Sequence, residues 1–166
     1  IHPTGVAVIG ASKNKGSVGY AIAQNFSNGS FLGRSYLVNP KYSSLNDQEC
    51  YNSVLELSGL VDLAIIAIPA KYIPLVVAQC GKAHIHAVII ISSGFSEIGI
   101  DGEQLLEEVL KLAKQYDVRI LGPNCIGVLN PYNHLNAGFY SHDASKGDIA
   151  LISQSGALAS AFLDMA

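Results

Sequence analysis

The stretch Gly5-Val6-Ala7-Val8-Ile9-Gly10-Ala11-Ser12-Lys13-Asn14-Lys15-Gly16-Ser17-Val18-Gly19 decides the fold. Its first five residues form a short apolar run that leads into Gly10. A polar, glycine-rich loop follows, and apolar residues then return at helical spacing over 20–26, so the segment reads as strand, loop and helix. The same alternation continues outward. Apolar runs at 36–38, 63–68, 87–91, 119–121 and 149–152 are predicted strands. Helices are predicted at 73–82 and 103–116, the second carrying Leu105, Leu106, Val109, Leu110, Leu112 and Ala113. Near-continuous apolarity marks strands covered on both faces, and strands alternating with helices mark βαβ units around a parallel sheet. Because crossovers between parallel strands are right-handed, the predicted fold class is α/β, a Rossmann-like doubly wound parallel sheet.

Composition agrees and excludes other classes. The chain has 166 residues, 49% hydrophobic and 14% charged, with a formal net charge of -3. A chain of this length buries roughly 70% of its unfolded surface, and its low charge is not that of a disordered polymer. Its arginines are Arg34 and Arg119 alone, and the lysines are scattered, so no basic stripe exists to neutralise a nucleic-acid backbone. No apolar stretch approaches the ~20 residues needed to span a bilayer. Cys50, Cys80 and Cys125 are odd in number and widely spaced, which suits neither a disulfide framework nor a zinc site and fits the reducing cytoplasm. The chain opens without Met and closes inside a helical pattern, so it reads as a fragment.

Parallel strands place their carboxyl ends on one edge, where ligands bind in such folds. The residues that follow each predicted strand are therefore the candidate site. They are Gly10 to Gly19, then Asn39-Pro40-Lys41, Pro69-Ala70-Lys71, Ser92-Ser93-Gly94-Phe95-Ser96-Glu97, Gly122-Pro123-Asn124-Cys125-Ile126-Gly127 and Ser153-Gln154-Ser155-Gly156. Small, polar residues after all six strands describe a groove lined with backbone donors, against the alternative of ordinary turn chemistry.

In the first loop, free N–H groups at the helix start can cradle a phosphate while glycines admit close approach. The spacing of Gly10, Gly16 and Gly19 departs from GxGxxG through an insertion carrying Lys13 and Lys15, which disfavours NAD. The second strand ends in Asn39-Pro40-Lys41, where an NAD site would carry an acid. Lys41 suits a phosphorylated ribose, either NADP or the 3'-phosphate of CoA, or is simply solvated. Glu97 and Asn124 project polar groups toward the groove, with an Asx-turn as the alternative for Asn124. Cys125 has no partner that would make it a nucleophile and reads as a buried small residue. Among the histidines, His2 is terminal, His84 and His86 flank a strand, and His134 and His142 lie in a polar connection; none forms a catalytic pair or metal set by spacing. Ser155 is either a helix N-cap or part of an anion site.

Taken in order, these motifs closely resemble the CoA-binding domain of the NDP-forming acyl-CoA synthetases, the ADP-forming acetate-CoA ligase group related to the succinyl-CoA synthetase alpha subunit. The resemblance spans nearly the whole chain. Its marks are Val8-Ile9-Gly10-Ala11-Ser12, Gly16-Ser17-Val18-Gly19, Val38-Asn39-Pro40, Val61-Asp62-Leu63-Ala64, Ser92-Ser93-Gly94-Phe95-Ser96-Glu97, Gly122-Pro123-Asn124-Cys125-Ile126-Gly127 and Ser153-Gln154-Ser155-Gly156-Ala157.

The resemblance implies a CoA-binding unit over 1–147 and the start of a flavodoxin-like α/β unit over 148–166. It implies CoA or acyl-CoA at the carboxyl edge, with Gly10, Ala11, Ser12, Gly16, Ser17, Val18 and Gly19 around the nucleotide and its phosphates and Asn39 and Lys41 near a phosphate. Pro69, Ser92, Ser93 and Gly94 would lie along the pantetheine, Asn124 and Cys125 toward the thiol, and Ser153, Gln154, Ser155 and Gly156 would form a second phosphate loop. In this family an acyl phosphate forms from acyl-CoA and phosphate. The phosphoryl group then passes to a histidine of the following domain, and an ATP-grasp region, as a domain or a subunit, carries it to ADP with Mg2+. That histidine is absent from this sequence, so no catalytic residue and no metal site is assigned here, and the fragment is expected to bind CoA without turning over. An oligomer, no nucleic acid and no membrane are implied as well. The same module is similar to the one fused to GNAT-type protein lysine acetyltransferases, where it serves regulation. A stand-alone CoA-binding protein and an NADP-dependent dehydrogenase complete the alternatives.

Overall fold

The structure is a computed structural model that describes residues 2–27, 30–140 and 144–165; His142 lies outside them. The opening strand β1 (Gly5–Ile9) is buried along its whole length. It is flanked by β2 (Arg34–Val38) on one side and β5 (Leu63–Ile66) on the other, both parallel to it. Beyond β2 lie β4 (Gln48–Tyr51) and β3 (Ser44–Leu45); beyond β5 lie β6 (Ala87–Ile90) and β7 (Arg119–Leu121). The seven-stranded sheet has the order β3-β4-β2-β1-β5-β6-β7 and is parallel except for β3, which runs against β4. The chain thus winds outward from β1 to one side and resumes on the other at β5. This doubly wound topology leaves a crevice at the carboxyl ends of β1 and β5, where the loops diverge.

Alternation along β1 shows why both faces are apolar. Val6 and Val8 pack with Ile22, Ala23 and Phe26 of α1 (Val18–Ser27). Ala7 and Ile9 pack with Ile73, Val77 and Cys80 of α2 (Ile73–Lys82) and with Val109 and Ala113 of α3 (Ile100–Gln115). The face under α1 is completed by an antiparallel hairpin, β8 (Gly127–Asn130) and β9 (Leu135–Gly138), whose Leu135 and Ala137 are buried. Asn25 of α1 holds the hairpin by donating to the Gly138 carbonyl at 2.8 Å.

Five of the six expected strands form, and the three expected helices do as well. The sixth does not: residues 149–152 belong to no strand, with Ile149 95% and Ile152 99% exposed. A strand exists only when its backbone groups are bonded laterally, and no described strand pairs with this run. Helix α4 (Gly156–Met165) follows with no buried residue. Two hairpins were not expected from the apolar runs, because each strand is short and half polar. One had a local signal in Asn46-Asp47, both at positive φ between β3 and β4, a pair suited to a two-residue hairpin turn.

Candidate functional site

The carboxyl edge is laced laterally by backbone bonds. Asn39 N donates to Tyr51 O, Gly10 N to Val38 O, Ala67 N to Ile9 O and Ile91 N to Ile66 O, each at 2.9–3.0 Å. Five loops therefore leave one rigid rim. At its centre, β1 runs into Gly10, whose φ of +95° and whose contact with the Ala67 carbonyl exclude a side chain: an added Cβ would sit 2.3 Å from that oxygen. Gly19, at the start of α1, is equally constrained, since a Cβ there would meet the Gly10 carbonyl at 2.0 Å. The two glycines bring the end of the strand and the first turn of the helix into contact, which sets the helix N-terminus over the crevice.

Between them the loop is ordered by its own polar groups. Ser12 Oγ accepts from Asn14 N at 3.1 Å, and Asn14 Oδ1 accepts from Gly16 N at 3.1 Å. Ser17 caps α1, its Oγ accepting from Tyr20 N at 3.2 Å and donating to Asn14 O at 2.8 Å. Gly16 is exposed, and a Cβ there would touch only Asn14 Oδ1, so space remains above the loop. Asn39 clamps this loop to the next by donating from Nδ2 to Ala11 O at 2.7 Å, while its Oδ1 accepts from Lys41 N at 3.0 Å. Asn39 is thus committed to shaping the groove. Lys41 is exposed and lines a recess of about 360 Å³ with Pro40, Tyr42, Cys50 and Tyr51. Lys13, from the first loop, reaches across to Tyr42, its Nζ 5.4 Å from the ring centroid.

The β6 loop is held against the β5 loop. Ser92 Oγ donates to Ile68 O at 2.6 Å and accepts from Ile68 N at 3.1 Å, and Ser92 O accepts from Asn124 N at 3.0 Å. Ser93 and Pro69 are exposed on the rim. Asn124 is exposed at φ +54°, and its side chain has no hydrogen-bond partner among the described residues, so it is not the Asx-turn cap that its loop position suggested. Cys125 is half-buried, its Sγ directed to the Ile90 carbonyl at 3.4 Å. Burial pushes this thiol above its ordinary range, which keeps it protonated and argues against a nucleophile. Glu97 does not project into the groove as expected but folds back onto Gly94 N at 2.5 Å.

The loop 153–156 follows no strand, yet it is close to the rim: a Cβ on Gly156 would meet Ile126 Cγ2 at 3.1 Å, beside Asn124 and Cys125. Ser155 is the N-cap of α4, its Oγ accepting from Leu158 N at 3.2 Å, and Ser153 Oγ accepts from Ser155 N at 3.0 Å. Gln154 is exposed. Among the described residues no group of three potential ligands could hold a metal ion, and no helix is long and apolar enough to cross a membrane. A larger recess, about 500 Å³, opens at the opposite edge of the sheet beside His2, Arg34 and Asn133. It lies at the amino ends of the strands, away from the glycine loop and the topological switch, and so is not the site this fold builds.

The sequence profile of a family described as CoA binding domain matches residues 4–131. The chain is 44% identical over 165 residues to the ADP-forming acetate-CoA ligase of Methanocaldococcus jannaschii, covering 99% of this chain and 23% of that protein. It is 43% identical to the alpha subunit of ADP-forming acetate-CoA ligase I of Pyrococcus furiosus, covering 98% of this chain and 36% of that one. Among solved structures, the dinucleotide-forming acetyl-coenzyme A synthetase 1 of Candidatus Korarchaeum cryptofilum, in complex with phosphate and ADP, superposes with a TM-score of 0.90. It is 38% identical, over 98% of this chain and 34% of that chain. The chain therefore spans about a quarter to a third of these relatives.

Proposed function

We propose that this chain, which belongs to the CoA binding domain family, is the CoA-binding part of an ADP-forming acyl-CoA ligase. The observation that carries the reading is the carboxyl edge itself, where Gly10 and Gly19 force a helix N-terminus over the crevice and Lys41 stands on the adjoining rim. The residues fit a CoA molecule. The N–H groups of Val18 and Gly19 in the first turn of α1, which the loop's own bonds leave unused, and the dipole of that helix favour the diphosphate, and Lys41 supplies a cation for the ribose 3'-phosphate. Pro69, Ser93 and Gly94 border a path for the pantetheine arm. Asn124 and Cys125 lie at its thiol end, and Ser153 to Gly156 offer a second anion-binding turn beside them.

In this reading residues 1–147 are the CoA-binding unit and 148–166 open a second α/β unit, in which residues 149–152 become a strand. The whole protein would interconvert acyl-CoA, ADP and phosphate with carboxylate, CoA and ATP. An ATP-grasp domain or subunit would supply nucleotide and Mg2+, and the assembly would be oligomeric. Three free thiols, none paired in a disulfide, fit a cytoplasmic protein.

Thermal stability with CoA, 3'-dephospho-CoA, NAD and NADP tests the reading, because a ligand at 100 times its dissociation constant stabilises by about 2.7 kcal/mol. A saturable shift with CoA is expected, and a shift with NADP but not CoA would restore the dehydrogenase. Lys41→Ala should weaken CoA more than 3'-dephospho-CoA; equal losses would remove Lys41 from the 3'-phosphate.

A further inference from the structure

The β6 loop is fixed at three points. Ser92 is bonded to Ile68 on both its N–H and its carbonyl, Phe95 is 1% exposed in the core, and between them Gly94 takes a φ of +103°. The third point is the carboxylate of Glu97, an exposed residue in the short 3-10 turn Ser96–Ile98. It accepts from Gly94 N at 2.5 Å. The N–H of Gly94 first, and then those of Glu97 itself and Phe95, hold this carboxyl below its usual range. Gly94 also abuts the β5 loop, where a Cβ would meet Ala70 Cβ at 3.0 Å, so the turn has little room on that side.

We propose that Glu97 is a positioning residue for the ligand groove: by bonding Gly94 N it fixes the Ser93-Gly94 turn against which the pantetheine arm of CoA lies. The inference rests on the CoA reading above. Glu97 touches no ligand in this arrangement. It acts through the backbone of a loop in which the Ser92 hydroxyl is committed to Ile68 while Ser93 is exposed. Without the carboxylate, Gly94 loses the partner that holds its N–H and the turn samples other conformations, which the ligand must then re-order on binding.

Calorimetric titration of the wild type, Glu97→Ala and Glu97→Gln with CoA and with adenosine 3',5'-bisphosphate, which lacks the pantetheine arm, tests this. Glu97→Ala should weaken CoA by about fivefold, the equilibrium cost of losing one side-chain cap, and leave the bisphosphate unchanged. Glu97→Gln keeps an acceptor and should recover about half of that loss on a logarithmic scale, because neutral hydrogen bonds are roughly half as strong. Equal weakening of both ligands, or wild-type CoA affinity in Glu97→Ala, overturns the role of Glu97. A wild type that binds neither ligand overturns the CoA reading itself, whatever the variants do.

Discussion

The runs Leu63–Ile66 and 149–152 are near twins in sequence and opposites in the structure. The first, Leu-Ala-Ile-Ile, lies between β1 and β6 with every residue buried. The second, Ile-Ala-Leu-Ile, carries Ile149 and Ile152 almost fully exposed. An apolar run states a demand for partners, and neighbours far away in sequence decide whether it is met. In the first region β1 and β6 supply both hydrogen-bonding edges, while α1, α2 and α3 cover both faces. In the second no described strand pairs with the run. The almost fully exposed isoleucines thus bury next to no apolar surface against the sheet.

The largest effect that could break this contrast is a core truncation. Ile65→Ala should cost about 2–5 kcal/mol by chemical denaturation, because a fully buried side chain leaves a cavity. Ile152→Ala should change stability by less than ~0.5 kcal/mol; comparable losses would mean that 149–152 is packed in solution. Next comes Gly19→Ala. Its Cβ would meet the Gly10 carbonyl, which is backbone and cannot swing aside, so α1 must shift. A loss of about 1–3 kcal/mol is expected, together with weaker CoA binding in the same titration.

Titration sharpens the contrast through Cys80, on the buried face of α2, where burial pushes the thiol from 9.0 up to about 12. The folded state holds its proton more tightly than the unfolded state. The associated stability is therefore fully present below pH 9.0 and is lost as pH rises from there toward 12. Denaturation midpoints of Cys80→Ala and wild type, compared from pH 8 upward, should show the shallower decline in the variant. The smallest effect belongs to Ser155→Ala. Loss of the cap on α4 should fray that helix at a cost of about 1 kcal/mol and leave the midpoint of the sheet unchanged. A shifted midpoint would couple α4 to the core.

The helix faces and the buried strands were legible because burial on both sides imposes a simple demand on composition. Val6 to Ile9 and Leu63 to Ile66 could hardly be anything but central strands, and 73–82 showed its helix to the residue. The glycine loop was legible for a related reason: Gly10 and Gly19 stand where no Cβ fits, and that requirement is visible as residue identity. The hairpins escaped because β4 and β8 are short and only partly buried, so no periodic signal accumulates. The inward turn of Glu97 escaped for another reason. Whether an acidic side chain faces a groove or its own backbone depends on the conformation of Gly94, which no spacing encodes.

By itself, the sequence determined the α/β class, the parallel sheet and the edge on which a ligand would bind, because strand direction and crossover hand follow from local chemistry and chain chirality. Only the tertiary structure decided which polar groups remain free on that edge. Asn39 and Ser92 spend their side chains on neighbouring loops, Lys41 and Ser93 do not, and 149–152 stays unpaired. Each of these outcomes depends on groups brought together from distant parts of the chain, and hydrogen-bond satisfaction is settled only where those groups meet.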